Sequence, residues 1–254
     1  MNIIVCAKQV VDASEMKIDS STKKPILQGM PQKISDIDKN AVEEAIKMKE
    51  KHGGKITVIT IGPANARERI KELLAMGVDE GVLVTASDTI DYHMTATLLA
   101  EAMKKIGSYD IILCGEASTD LFSGQIGPRV AGLLNIPQLT YAQSVTAEKD
   151  KVTANRNMGA NAVTSESTYP VLITVTKEIN DPRLPSLMQI LAAANKPIQE
   201  WTAESLSSGL QPLVETIELK GVTMERKNVI YKDDLDESVN KLVDNLAKEG
   251  VLGR

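Results

Sequence analysis

The chain reads as an α/β protein: a mostly parallel sheet with helices on both faces, plus a protruding loop and a C-terminal arm. Two patterns predict this and one compositional fact narrows it. Over the first 140 residues, short apolar runs alternate with segments whose apolar residues recur at helical spacing, as repeated strand–helix units do. The runs are apolar at nearly every position rather than every second one, which suits strands covered on both faces. Aromatic residues make up only 3% of the 254, with one Trp, one Phe and five Tyr. That counts against an all-β sandwich or a base-stacking nucleic-acid module.

The elements follow in order. Residues 2–7 (NIIVCA) form the first strand, and 14–34, with SSTKKP and QGMP, a hairpin or loop excursion. From Asp36 to about residue 52, Ile37, Ala41, Val42, Ala45 and Ile46 fall at helical spacing, with Asp36 as N-cap and Gly53-Gly54 as the stop. Residues 55–61 (KITVITI) are a strand, Gly62-Pro63 a turn, and 64–76 a helix burying Ile70, Leu73, Leu74 and Met76. A strand at 81–85 precedes a helix over 91–106 whose stripe is Leu98, Leu99, Ala102, Met103 and Ile106. Residues 109–114 (YDIILC) are a fourth buried strand, followed by a loop and a helix over about 124–134.

Beyond residue 138 the pattern changes. QLTYAQSVTA, KVTANR and PVLITVT are strand-like and read as antiparallel additions. In 178–200, two prolines bracket a Leu/Met/Ile cluster without regular period, which favours a partner-contacting protrusion over core. Little core-forming density follows until a helix over 235–248, whose stripe of Val239, Leu242, Val243 and Leu246 has no evident intrachain partner. The expected division is therefore 1–200 as the α/β domain and 201–254 as an arm.

Charge and cysteine usage exclude several functions. A net charge of −5 argues against a nucleic-acid partner, because phosphate backbones are bound by excess Lys and Arg. No apolar run approaches the roughly 18 residues needed to cross a bilayer, and the N-terminal run reaches Lys8 without a secretory cleavage pattern. Cys6 and Cys114, far apart and without CxxC spacing, read as reduced strand cysteines of a cytoplasmic protein.

Right-handed crossovers place the strand C-termini on one rim, and ligands of such sheets bind outside it where the strand order reverses. The loops after Ala7, Ile61 and Cys114 are therefore the places for chemistry. Segment 114–128, CGEASTDLFSGQIGP, is the most informative. It opens a helix at Ser123-Gly124, and a helix N-terminus offers free amides and partial positive charge to a phosphate. Gly124 and Gly127 clear side chains from the approach, while Asp120 can accept from a ribose or hold the loop. The plain alternative is an ordinary helix start after an ordinary loop. GxxxxGK[ST] and GxGxxG are both missing, which disfavours P-loop hydrolysis and a standard dinucleotide finger. His52 and His93 stand alone without metal-ligand spacing, and no catalytic nucleophile arrangement is present.

Several ordered blocks carry a resemblance across nearly the whole chain. NIIVCAKQVVD, AVEEAIKMKEKHGGKITVITIGP, ELLAMGVDEGVLV, DIILCGEASTDLFSGQIGPRVAGLLNIPQLTY and NDPRLPSLMQILAAANKPI together resemble the β subunit of electron transfer flavoproteins. The resemblance implies an adenine-nucleotide-binding α/β fold and an electron carrier that pairs with an α subunit holding FAD. In the β site it implies either AMP as a structural ligand or a second FAD, as in anaerobic bifurcating members that take hydride from NADH. The N-terminal and tail sequences favour FAD. From another class, a stand-alone adenine-nucleotide-binding regulatory domain is the competing reading.

Carried over by position, nucleotide contacts fall at Cys6 and Ala7, at Ser35 and Asp38, and at Ile61 and Gly62. Others fall at Glu116, Ala117, Asp120 and Phe122, and the phosphate contacts at Ser123, Gly124, Gln125, Ile126 and Gly127. The partner-recognition loop corresponds to 182–197, with Leu184, Leu187, Met188 and Ile190 facing a dehydrogenase and Leu187 as anchor. One Leu fully buried on docking contributes about 1.5–3 kcal/mol. The arm is expected on the α subunit. Departures from the family pattern include Ser35-Asp36-Ile37 in place of Asn-Pro-aromatic, and Phe122 where a second carboxylate is usual.

Overall fold

A computed structural model describes residues 1–87, 90–221 and 227–252. In chain order, β1 (Asn2–Cys6) is followed by β2 (Gln9–Val11), β3 (Lys17–Ile18), β4 (Pro25–Ile26) and β5 (Gln32–Ile34). These last four form a nested hairpin excursion in which β2 pairs with β5 and β3 with β4. Then α1 (Asp36–His52), β6 (Lys55–Gly62), α2 (Ala66–Met76), β7 (Glu80–Thr85), α3 (Tyr92–Ile106), β8 (Ile111–Gly115) and α4 (Ile126–Leu134) alternate. After them come β9 (Gln138–Ala147), β10 (Lys151–Asn157), β11 (Ala162–Thr168) and β12 (Val171–Val175). The chain continues through α5 (Leu187–Ala193), β13 (Ile198–Thr202), the short α6 (Ala203–Leu206) and α7 (Leu235–Lys248).

The main sheet has nine strands in the order β11-β10-β9-β12-β8-β1-β6-β7-β13. From β9 to β13 all neighbours are parallel, and β10 and β11 extend the β9 edge antiparallel. The chain leaves β1 for β6 and β7 on one side, then returns to β8 on the other. The strand order thus reverses between β1 and β8, which opens a crevice beyond their carboxyl ends.

Period-two alternation in the central strands feeds two cores. Ile3 and Val5 of β1 face Ala41, Val42, Ala45 and Ile46 of α1 and Ile70, Leu73 and Leu74 of α2. Ile4 and Cys6 face the other way, toward Ala96, Leu99, Ala102 and Met103 of α3 and Val130 and Ala131 of α4. Burying both faces explains the uninterrupted apolar runs.

Several boundaries differ from the sequence expectation. PVLITVT is not an antiparallel addition: β12 lies parallel between β8 and β9 with all five residues buried, as an all-apolar strand requires. β9 too begins parallel, against β12, before turning antiparallel with β10. Strands β11 and β13 were not anticipated. The helix expected from Ser123-Gly124 starts at Ile126, because Phe122 (φ 46°) and Gly124 (φ 64°) adopt left-handed backbone that a helix start cannot include. Asp36 is the first residue of α1 rather than its cap, which is Ser35.

Candidate functional site

A cleft of about 570 Å³ opens at the carboxyl ends of β1, β6 and β8, a size typical of small-ligand sites. The expected residues Cys6, Ala7, Asp38, Ile61 and Gly62 line it. So do Glu116, Ala117 and Asp120, and the run from Ser123 to Gly127. Ser35 and Phe122 lie off the lining. Ser35 is fully buried, its Oγ accepting from the Thr119 amide at 3.3 Å, and Phe122 points outward, 64% exposed. Sequence reasoning missed Lys8, Asn65 and Asp91 on the walls. Each sits at a strand end or helix start of an expected unit, and that position was the available signal.

The walls are tied together by carboxylates. Asp38 is buried at the start of α1; its Oδ2 accepts from the Lys8 amide at 2.8 Å and its Oδ1 from the Gly115 amide at 3.2 Å. It therefore braces the two loops that flank the strand-order reversal, and spends both oxygens doing so. Only glycine fits at 115, since a Cβ there would stand 2.6 Å from Asp38 Oδ1. Burial pushes the Asp38 carboxyl up to about 7, against the opposing pull of the Lys8 and Gly115 amides and the Lys8 charge. At the mouth, Lys8 Nζ meets Asp120 Oδ2 at 2.6 Å. Burial raises Asp120, but hydrogen bonds from Lys8 and Ser118 outweigh it and leave the carboxyl below its usual range.

The start of α4 faces the cleft with free donors. Ile126 and Gly127 have no intrahelical acceptor by position, and Gln125 supplies no side-chain cap because its Oε1 accepts from Arg129 at 3.1 and 2.8 Å. Gly127 lets the helix pack closely: a Cβ there would lie 2.5 Å from Thr174 Cγ2 on β12. Donors converging at a helix start suit an anionic oxygen. Below them, Cys6 and Cys114 are free and buried on the same face. Hydrogen bonding with Cys6 and burial push the Cys114 thiol well up, so it is a neutral packing group.

On the opposite wall, Asp91 caps α3 through the Met94 amide at 2.8 Å. Its other oxygen accepts from the Leu213 and Val214 amides at 2.7 and 3.0 Å, which fastens that segment to the cleft rim. Among the described residues no cluster of His, Cys, Asp and Glu could hold a metal ion, and no helix is long and apolar enough to cross a membrane. Leu184, Leu187, Met188 and Ile190 lie together away from the cleft, all at least half exposed.

Fold and cleft define an open, doubly wound α/β domain with a crevice at its topological switch point, the place where such sheets take ligands. Sequence comparison gives the family. The electron transfer flavoprotein domain matches residues 26–206. Over 261 aligned residues the chain is 39% identical to the electron transfer flavoprotein subunit beta of Thermoanaerobacterium thermosaccharolyticum, covering 99% of this chain and 100% of that one. It is 33% identical to the Bacillus subtilis subunit beta, covering 98% of each. It is also 37% identical to the caffeyl-CoA reductase–Etf complex subunit CarD of Acetobacterium woodii, over 84% of this chain and 81% of that one. The chain belongs to the electron transfer flavoprotein family, on the β-subunit side.

Proposed function

We propose that this chain is the β subunit of a heterodimeric electron transfer flavoprotein that holds FAD in its cleft. There it passes electrons between a donor, either NADH or an acyl-CoA-type or hydroxy-acid dehydrogenase, and the FAD of an α subunit. One observation carries the reading: the uncapped start of α4 opens onto a crevice at the β1/β8 reversal, flanked by Gly124 and Gly127. Bound FAD supplies reversible hydride and single-electron exchange.

This chain's residues do the holding. The Ile126 and Gly127 amides receive the pyrophosphate, and Gly124 leaves room for it. Asp38 keeps the Lys8 and Gly115 loops at fixed separation. Apolar Ile59, Ile61 and Leu99 close the site against water. The exposed stripe of α7 (Leu235, Val239, Leu242 and Val243) fits the arm role and packs on the α subunit. Leu187, 70% exposed, docks a dehydrogenase. A relative named as part of a caffeyl-CoA reductase–Etf complex supports a partner of the acyl-CoA class.

Co-expression with the α subunit, followed by a flavin count and chromatography of released nucleotides, tests the reading. Two FAD per heterodimer is the expected result. One FAD and one AMP would leave the α subunit as the sole redox centre. A stable lone chain binding ATP without flavin would overturn the proposal. With two FAD present, NADH-driven reduction of two acceptors at once would establish bifurcation.

A further inference from the structure

The segment 183–196 combines two properties that rarely coexist without a reason. Its large apolar side chains face outward: Leu184 is 93% exposed, Leu187 70% and Met188 75%. Its backbone is nonetheless ordered as α5, a seven-residue helix. Helices that short are not stable alone in water, and exposed Leu and Met gain nothing from facing solvent. The order of α5 comes from packing against α2, from the Ser186–Gln189 capping box and from anchors at both ends.

Both ends are clamped by a cation. At the entry, Arg183 forks onto Glu43 of α1, with Nε–Oε2 at 2.9 Å and Nη2–Oε1 at 3.0 Å. It forks again onto Glu50, two turns further along the same face of α1, with Nη1–Oε1 at 2.5 Å and Nη2–Oε2 at 3.1 Å. The Arg183 amide also donates to Glu43 Oε2 at 3.1 Å. Just upstream, Asn40 and Asn180 exchange bonds, Nδ2 of Asn40 to the Asn180 carbonyl at 2.6 Å and Nδ2 of Asn180 to the Asn40 carbonyl at 3.1 Å. At the exit, Lys196 Nζ donates to the Leu74 and Val78 carbonyls at 2.9 and 2.7 Å, at the C-terminal end of α2. Between the clamps, buried Ala193 seats α5 on the core. Glu43 is itself buried, so the Arg183 fork works in a low-dielectric setting where bidentate pairing is strong and directional.

We infer that Arg183 and Lys196 are positioning residues for partner docking, holding the Leu187–Met188 face at a fixed angle to α1 and α2. The inference rests on the docking role proposed above for this segment. Since α1 also carries Asp38, the docking face and the cleft share one rigid helix.

The test uses the heterodimer with an acyl-CoA dehydrogenase and its substrate as reductant, comparing Arg183→Gln, Arg183→Lys, Lys196→Met, Glu50→Gln and Leu187→Ala. Arg183→Gln and Lys196→Met should each raise KM for the dehydrogenase about tenfold, equivalent to about 1.4 kcal/mol. kcat and FAD content should hold. Glu50→Gln, which removes a half-exposed fork only, should give a smaller rise, and Arg183→Lys an intermediate one. Hydrogen exchange should quicken at residues 187–193 and stay slow in the central strands. Unchanged KM and unchanged exchange in Arg183→Gln, with KM raised in Leu187→Ala, would overturn the clamp and leave the docking role standing. No effect of Leu187→Ala would bring down both. A KM rise accompanied by FAD loss or fast exchange in the sheet would mean a general structural role and also refute the inference.

Discussion

Replacing Asp38 by Asn tests the brace at the centre of the site. The carboxyl is buried, and its acidity in the fold lies near 7 against an ordinary value of 3.8. A rise of about three pH units corresponds to about 4 kcal/mol of proton-linked stability. The direction follows from proton counting. Below about pH 4 both folded and unfolded chains hold the proton, and the contribution is fully present. As pH climbs toward 7 the unfolded chain ionises while the fold keeps its proton, so stability falls, and the loss is complete above 7. Asn cannot ionise. It also aims an N–H at one of the two amides that Asp38 accepts from, which leaves one of them without a buried acceptor at a cost of about 1–3 kcal/mol. Urea unfolding of the nucleotide-free chain between pH 4.5 and 8 should therefore show two crossing curves. The native chain is the more stable at pH 4.5, and Asp38→Asn matches or exceeds it at pH 8. Parallel curves with a constant offset would refute the reasoning, since they would mean that the two amides hold Asp38 ionised across the whole range.

Other expectations concern the cleft and the two contact surfaces. Gly127→Ala places a Cβ 2.5 Å from Thr174 Cγ2, so it should cost about 1–3 kcal/mol and weaken nucleotide retention. Adding Thr174→Ser removes that methyl, keeps the hydroxyl that accepts from the Tyr141 amide, and should recover most of the loss in thermal melts. Gly124→Val forces a β-branched residue into left-handed backbone and should empty the site, read as flavin per heterodimer; unchanged flavin would count against phosphate at the start of α4. Truncation before residue 235 should abolish co-purification with the α subunit, because among the described residues the α7 stripe stays exposed. A truncated chain that still co-purifies would place the main interface elsewhere.

What the sequence disclosed and what it hid divide along a physical line. Strands β1, β6, β7 and β8 were legible because burial on both faces leaves a local mark, a short run of apolar residues. Strand β13 left no such mark. It reads IQEWT, only Ile198 and Trp201 are half-buried, and it holds its place by pairing with β7. β12 was recognisable as a strand, but its direction depends on partners sixty residues upstream at β8, which no local pattern encodes. At the site, the loop 114–128 and its glycines announced themselves. Asp38 did not disclose its role, because an acidic residue in the first turn of a helix is the usual complement to the helix dipole. Its actual partners, the Lys8 and Gly115 amides, are neighbours only because β1 and β8 adjoin across the strand-order reversal.

That same reversal explains why one helix serves two tasks. α1 leaves the β1 hairpin excursion and runs back across the sheet over β8 and β12, so its first turn must lie at the crevice and its later turns near the chain that exits β12. Asp38 occupies the first position, while Asn40, Glu43 and Glu50 occupy the second and meet Asn180 and Arg183. Acidic residues in the first turn of α1 and further along it thus fix two loops that the sheet order brings alongside, one at the cleft and one at the base of the exposed Leu187 face. A shift of α1 along its axis would disturb both contacts at once. The two sites are therefore expected to fail together when α1 is displaced, and separately when only Arg183 or only Asp38 is changed.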